Sequence, residues 1–287
     1  MTAFSKGFEF DSMAQRPMYR ACPQWLIEHC RIGEQSTVVD LGCGSGIATQ
    51  LLLEQFPLAP EFRVIAIDPS EFELSIGRSR ISDKRVTFIQ GTAQEASHLI
   101  GAGVDAVLLC NVLHQIPLEQ RLPVIEAAFS LLHPGGFMGA NTLFYDGGIE
   151  AGTSVFYSRW MAETRDRLAK ASISWSPGTD TAVALQRLSP RQHHDLFQRA
   201  GFEVIAVEEL WFGWLPEDWE ALSKYSVFIQ GALSLDIDLA AGSNALIEGA
   251  KAAYNGLNMK MIRRGWLHCA ARRPPAAASG DSMPPSA

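Results

Sequence analysis

Short apolar runs, each ending in turn residues and followed by a stretch with helical spacing, recur through the first half of the chain. Strands are predicted at 37–41, 63–68, 86–90, 104–111 and 137–142. Several are apolar almost throughout, as strands covered on both faces by helices should be. Helices are predicted between them at 47–55, 71–80 and 118–132, the last closed by His133-Pro134-Gly135-Gly136. This alternation predicts an α/β fold with a doubly wound, mostly parallel sheet and right-handed crossovers.

The rhythm breaks after Thr142. Residues 143–188 hold Gly147-Gly148 and a helical pattern at 156–170 but no evident strand, and read as an insertion. Ser189-Pro190 then places an N-cap residue before a proline at the first helical position, opening a helix to Arg199 that stops before Gly201. A strand is predicted at 202–208, a second insertion at about 211–262, and a last strand at 265–271. The expected layout is an N-terminal helical cap over 1–35, a main domain over 36–273 carrying both insertions, and a tail at 274–287. That tail is so poor in large apolar side chains that it is expected to stay disordered.

Composition narrows the function. The 287 residues suffice for one large domain; the formal charge is −7, and no run of Lys or Arg occurs. Nucleic acid and anionic membrane surfaces are therefore not expected partners. The five cysteines are scattered and odd in number, with no metal-ligand spacing, so reduced thiols and no metal are expected. Without a signal-like start or a long apolar stretch, the protein is expected to be soluble and cytoplasmic.

The informative stretch is Val38-Val39-Asp40-Leu41-Gly42-Cys43-Gly44-Ser45-Gly46, an apolar strand that runs into three alternating glycines before a helix. Glycines there allow a tight turn and let a ligand approach backbone that a Cβ would shield. A dinucleotide fingerprint needs G-x-G-x-x-G/A, and counting from Gly42 and Gly44 the third position is Ile47, while from Gly44 and Gly46 it is Thr49. Asp40, two residues before the first glycine, would repel a pyrophosphate and welcome a ligand ammonium group. The second strand ends in Asp68-Pro69, placing an acid where folds of this class bind ribose hydroxyls.

On these residues the chain resembles the class I S-adenosylmethionine-dependent methyltransferase superfamily, whose D/E-x-G-x-G-x-G motif matches Asp40, Gly42, Gly44 and Gly46. Asp68 matches the ribose acid; Gly91-Thr92-Ala93-Gln94 is similar to the adenine-side turn; Asn111-Val112-Leu113-His114 is similar to the segment near the methyl group. The His133-to-Gly136 turn and Ala200-Gly201-Phe202 resemble the entries to strands five and six, so the likeness covers roughly half the chain. It implies a Rossmann-like seven-stranded sheet with an antiparallel last strand, and methyl transfer from S-adenosylmethionine, leaving S-adenosylhomocysteine. By the same resemblance the cofactor contacts are Asp40, the three glycines, Asp68, Pro69, Thr92, Ala93, Gln94, Asn111 and Val112, with Tyr19 folding over them.

His114 would face the methyl group as a base or as a positioning group, or it simply packs. Tyr145, Asp146 and Tyr157 either line the acceptor pocket or belong to an ordinary loop. Trp160, Trp175, Trp211, Trp214 and Trp219 fall in the two expected insertions. They suit a bulky apolar or aromatic small-molecule acceptor, a local core, or a homodimer contact. The acceptor atom stays open among O, N and C. Two other readings remain: a cofactor-binding protein of the same fold without turnover, and an NAD-type oxidoreductase.

Overall fold

The computed structural model describes residues 8, 10–174, 186–234 and 236–276. Seven strands form one sheet in the order β3-β2-β1-β4-β5-β7-β6. The first five are β1 (Thr37–Leu41), β2 (Arg63–Asp68), β3 (Val86–Gln90), β4 (Val104–Cys110) and β5 (Leu132–Thr142), and all pair in parallel. The sixth and seventh are β6 (Glu203–Trp214) and β7 (Ile262–Arg272); β7 lies antiparallel between β5 and β6, as the resemblance implied.

Side chains alternate across each strand, so adjacent residues feed different layers. Val38, Ala106 and Leu108 meet α2 (Pro17–His29) and α3 (Ile47–Gln55) on one side. Val39, Val107 and Leu109 meet α6 (Leu118–Leu131) and α8 (Pro190–Arg199) on the other. Helix α2 can lie close to the sheet because Gly139 of β5 has no side chain: a Cβ there would come within 2.8 Å of Cys30 Sγ. Helix starts follow local chemistry. Ser70 caps α4 (Glu71–Arg80), and Ser189 with Gln192 forms a capping box on α8 behind Pro190.

A third apolar cluster covers the carboxyl end of the sheet. It joins α1 (Asp11–Ala14) and α2 to α7 (Ser154–Lys170), α9 (Pro216–Leu222), α10 (Ser226–Ala232) and α11 (Leu239–Leu257) through Met13, Tyr19, Phe156, Trp160, Trp219 and Tyr254. Both expected insertions contribute helices to this cap. Three boundaries shift: β5 begins at Leu132, taking in the predicted turn at 133–136, β7 begins at Ile262, and β6 runs on to Trp214, so Trp211 and Trp214 belong to the sheet and the second run of helices begins at Pro216. Pairing along the length of β7 extends β6 where single-strand periodicity shows an interruption. Trp175 and residues 277–287 of the expected tail lie outside the described residues.

Candidate functional site

The chain turns from strand to helix at the carboxyl ends of β1 and β4, neighbours at the point where strand order reverses, and there a crevice opens in folds of this kind. Gly42, Gly44 and Gly46 occupy it with φ of 77°, 51° and 81°, all left-handed. A Cβ on Gly42 would lie 2.7 Å from Val112 Cγ2, so the glycine loop and the segment after β4 touch only because that position is bare. A Cβ on Gly44 would meet nothing nearer than Glu73 Oε2 at 4.0 Å, so the loop faces open space there.

Two carboxylates flank this loop. Asp40 is fully buried; Thr49 Oγ1 donates to its Oδ2 at 2.7 Å, and its Oδ1 has no hydrogen-bond partner among the described residues. Burial pushes its pKa up to about 6, held down in part by the Thr49 bond and raised further by the charge of Asp68. Asp68 accepts from the Gly44 amide at 2.9 Å through Oδ2 and from the Ser70 amide at 2.9 Å through Oδ1. Burial raises its pKa too, against those two bonds. Each Asp68 oxygen keeps a lone pair for a further donor. The turn after β3 is tied in: Gly91 N donates to Asp68 O at 3.1 Å and Gln90 Nε2 to Pro69 O at 3.2 Å. Thr92 is occupied locally, its amide and hydroxyl both donating to Glu95 at 2.8 Å, and Gln94 is exposed.

Three residues from outside the motif close over the loop. Tyr19 is 4% exposed, with Asp40 among the charges that, after burial, raise its pKa. Tyr225 stands beside Glu73 and Asp68 in the same electrostatic sense. Phe10 joins the two, in edge contact with Tyr19 at 5.2 Å and Tyr225 at 5.0 Å. Asp11 anchors this cap by accepting from Ser45 Oγ at 2.6 Å and from Arg80. Tyr19 was legible as a candidate. Phe10, Asp11, Arg80 and Tyr225 were not, because no local pattern links positions that far apart in sequence.

The segment after β4 is built for rigidity. Asn111 is a non-glycine at φ 59°; its amide donates to Asn141 O at 3.0 Å and its Oδ1 accepts from Leu143 N at 3.0 Å. Its side chain thus locks β4 to β5. His114 is 3% exposed, with Nδ1 3.2 Å from Thr142 Oγ1, its ring 4.5 Å from Phe144, and Nε2 without a partner among the described residues. Burial, reinforced by Arg121, Arg187 and His193, lowers its pKa to about 3, so the imidazole is neutral at any physiological pH. Tyr145 points elsewhere: its hydroxyl lies where a Cβ on Gly265 would be, within the cluster on the α6 side of the sheet. Tyr157 lies in the cap, its hydroxyl 3.4 Å from Arg264 Nη1.

A shallow groove of about 450 Å³ between α2 and α3, lined by Arg20, Gln24, Leu51 and Glu54, sits at the far end of α3 from the glycine loop. It carries none of these groups. Among the described residues no three His, Cys, Asp or Glu converge as metal ligands, and no helix is long and apolar enough to cross a membrane.

Comparison with known proteins agrees with this geometry. Residues 38–136 match a family described as a methyltransferase domain. A "Probable S-adenosylmethionine-dependent methyltransferase" of Saccharomyces cerevisiae is 34% identical over 100 residues, 33% of this chain and 32% of that protein. A trans-aconitate 2-methyltransferase of Variovorax paradoxus is 32% identical over 115 residues, 40% of this chain and 41% of the relative. The alignments thus span about a third to two fifths of these relatives' own length. In space, the chain is similar to a cyclopropane synthase from Mycobacterium tuberculosis at TM-score 0.56 and 12% identity, over 93% of this chain and 94% of the other. The family match along the sequence and the likeness in fold point the same way: residues 38–136 match a methyltransferase domain, set in a seven-stranded sheet with the fold of the cyclopropane synthase.

Proposed function

We propose that this protein transfers the methyl group of S-adenosylmethionine to a small organic acceptor. The observation that carries the reading is the buried Asp40 carboxylate, with one oxygen unpartnered, beside three left-handed glycines. Such a carboxylate is costly unless a cation completes it, and an amino-acid ammonium group is a cation of the right size and sign. Asp68, with a free lone pair on each oxygen, suits a ribose diol; Pro69 and the 92–94 turn suit the adenine side. Val112 and Asn111 form the floor, and Tyr19 covers the amino-acid end. When bound, the cofactor supplies an activated methyl on a sulfonium, whose displacement leaves a neutral sulfide.

The chain's own task is then mainly to hold an acceptor in line and exclude water. His114 is suited to positioning rather than proton removal, because a group titrating near 3 is a weak base at neutral pH. The Variovorax relative's name states a small organic acceptor for that protein, trans-aconitate. The cap accounts for Trp160, Trp214 and Trp219 as its own core, so we assign those three no dimer contact. No metal, nucleic acid or membrane enters the proposed reaction.

The test is titration calorimetry of the purified protein with S-adenosylmethionine, S-adenosylhomocysteine and NAD in parallel. Binding of the first two alone, at about micromolar Kd, is expected. Binding of NAD, or of none of the three, would overturn the proposal.

A further inference from the structure

Past His114, towards the cap, the buried polar groups do not balance. Arg264 of β7 is only 5% exposed, yet among the described residues no carboxylate pairs with it. Its Nη1 donates to Tyr157 Oη at 3.4 Å and its Nη2 to the Leu143 carbonyl at 3.5 Å, both long, and its Nε has no partner among the described residues. The rings of Phe144, Trp214 and Trp219 stand 5.7–5.8 Å from its central carbon. Ring faces attract the cation but do not accept the N–H groups that radiate from its edge. An aromatic box therefore accounts for the burial of the charge and leaves the donor edge unexplained.

The same face of the sheet repeats the imbalance. In the β6–β7 register Phe212 stands opposite Arg264, Leu210 opposite Trp266 and Trp214 opposite Ile262, so Trp214, Arg264 and Trp266 point to one side. The indole N–H groups of Trp214 and Trp266 are also buried without partners among the described residues. Indole and guanidinium donate only, so what is missing is an acceptor-rich occupant. Glu209 does not supply it, since it pairs with Leu267 and faces the other side of the sheet with Tyr145 and Trp211. A second cation, the exposed Arg187, stands within electrostatic range of both Arg264 and His114, with Tyr157 and Asp146 acting on it in the opposite sense. Phe144 links the two ends, 4.5 Å from His114 and 5.8 Å from Arg264.

We infer that the acceptor is an organic carboxylate, its anionic end held by the edge of Arg264 and its apolar body lying along Phe144 towards His114. A guanidinium fork matches a carboxylate with two parallel hydrogen bonds, and the surrounding rings exclude the water that would weaken them. This inference rests on the methyltransferase reading for the direction of the reaction. The anion site itself stands on Arg264 and its neighbours.

The experiment is calorimetry on the full-length protein saturated with S-adenosylhomocysteine, using benzoate, cinnamate, octanoate, succinate and tricarballylate, each against its carboxamide. At least one acid is expected to bind roughly tenfold or more tightly than its amide, as a charge-assisted bidentate pair requires. Arg264→Met should remove that preference and Arg264→Lys retain part of it, with the affinity for S-adenosylhomocysteine unchanged in both. Amides binding as well as acids, a preference that survives Arg264→Met, or no acid binding up to about 10 mM would overturn the anion site. If the wild type fails to bind S-adenosylhomocysteine, the methyltransferase reading falls, and the acid–amide comparison without it still decides the anion site. If Arg264→Met does not fold, the wild-type comparison and Arg264→Lys carry the same decision.

Discussion

The glycine-loop half and the cap half of this molecule are assembled in opposite ways. In the first, Asp40, Gly42, Gly44 and Gly46 fall within seven residues, and Asp68 reaches them by one hydrogen bond to Gly44. In the second, Tyr19, Phe144, Tyr157, Trp219, Tyr225 and Arg264 come from six elements or loops spread over most of the chain. A short motif can hold a common cofactor because the backbone does much of the binding. A pocket that discriminates among acceptors needs side chains from many directions, and only tertiary packing brings those together.

That contrast can be broken most sharply in the cap. Trp219 is fully buried, packs edge-on or tilted among Phe156, Tyr157, Trp160 and Trp214, and donates through Nε1 to Tyr254 Oη at 2.9 Å. Trp219→Ala should cost about 3–5 kcal/mol in urea unfolding. An unchanged midpoint would show that the cap does not unfold with the sheet.

Asp68→Ala should raise the Kd for S-adenosylhomocysteine about 30- to 100-fold, since each charge-assisted hydrogen bond contributes about 1.5–3 kcal/mol. Circular dichroism should stay as in the wild type. An unaltered Kd would remove Asp68 from the cofactor site.

Asp40 should show the opposite signs for stability and binding. Its pKa stands near 6 in the fold against an ordinary 3.8, so keeping it ionised destabilises the native state. That destabilisation is absent below about pH 4 and complete above about pH 6. Asp40→Asn should therefore gain about 1–3 kcal/mol at pH 7.5 and nothing at pH 4, while cofactor affinity falls about tenfold. For the wild type, affinity should weaken as pH drops through 6, where the carboxylate takes up a proton. A destabilised Asp40→Asn protein, or affinity flat from pH 7.5 to 5, would contradict the assignment.

The smallest effect is expected at His114. Replacing it with Ala should leave S-adenosylhomocysteine binding intact and slow turnover about tenfold or less, the range of lost positioning. The wild-type pH–rate profile should carry no His114 inflection between pH 5 and 8, because the group titrates near 3. Two rate profiles, one for each protein, check both statements. An inflection present only in the wild type would restore a proton-transfer role.

The sheet and the glycine loop were legible from the residues alone. Predicted strands at 37–41, 63–68 and 86–90 coincide with β1, β2 and β3, and predicted helices at 47–55 and 71–80 with α3 and α4. Those signals are local: apolar runs, turn residues and caps act within a few positions. The end of β6 was not legible, because Trp211 to Trp214 become strand only by pairing with Gly265 to Ile262. Nor did Asn111 show its use, since its Oδ1 accepts from the Leu143 amide, a partner that only the fold brings to it.

By itself the sequence determined that an acid and three glycines follow an apolar strand, that a second acid ends the next one, and that the elements alternate into a doubly wound sheet. Steric and hydrogen-bonding preferences of single residues are enough for that. Tertiary structure alone decided that Phe10 bridges Tyr19 and Tyr225 over the loop, that His114 is held neutral, and that Arg264 is buried with no acid paired to it among the described residues. Each of those states depends on desolvation and on charges from distant segments, and burial is a property that only the folded chain possesses.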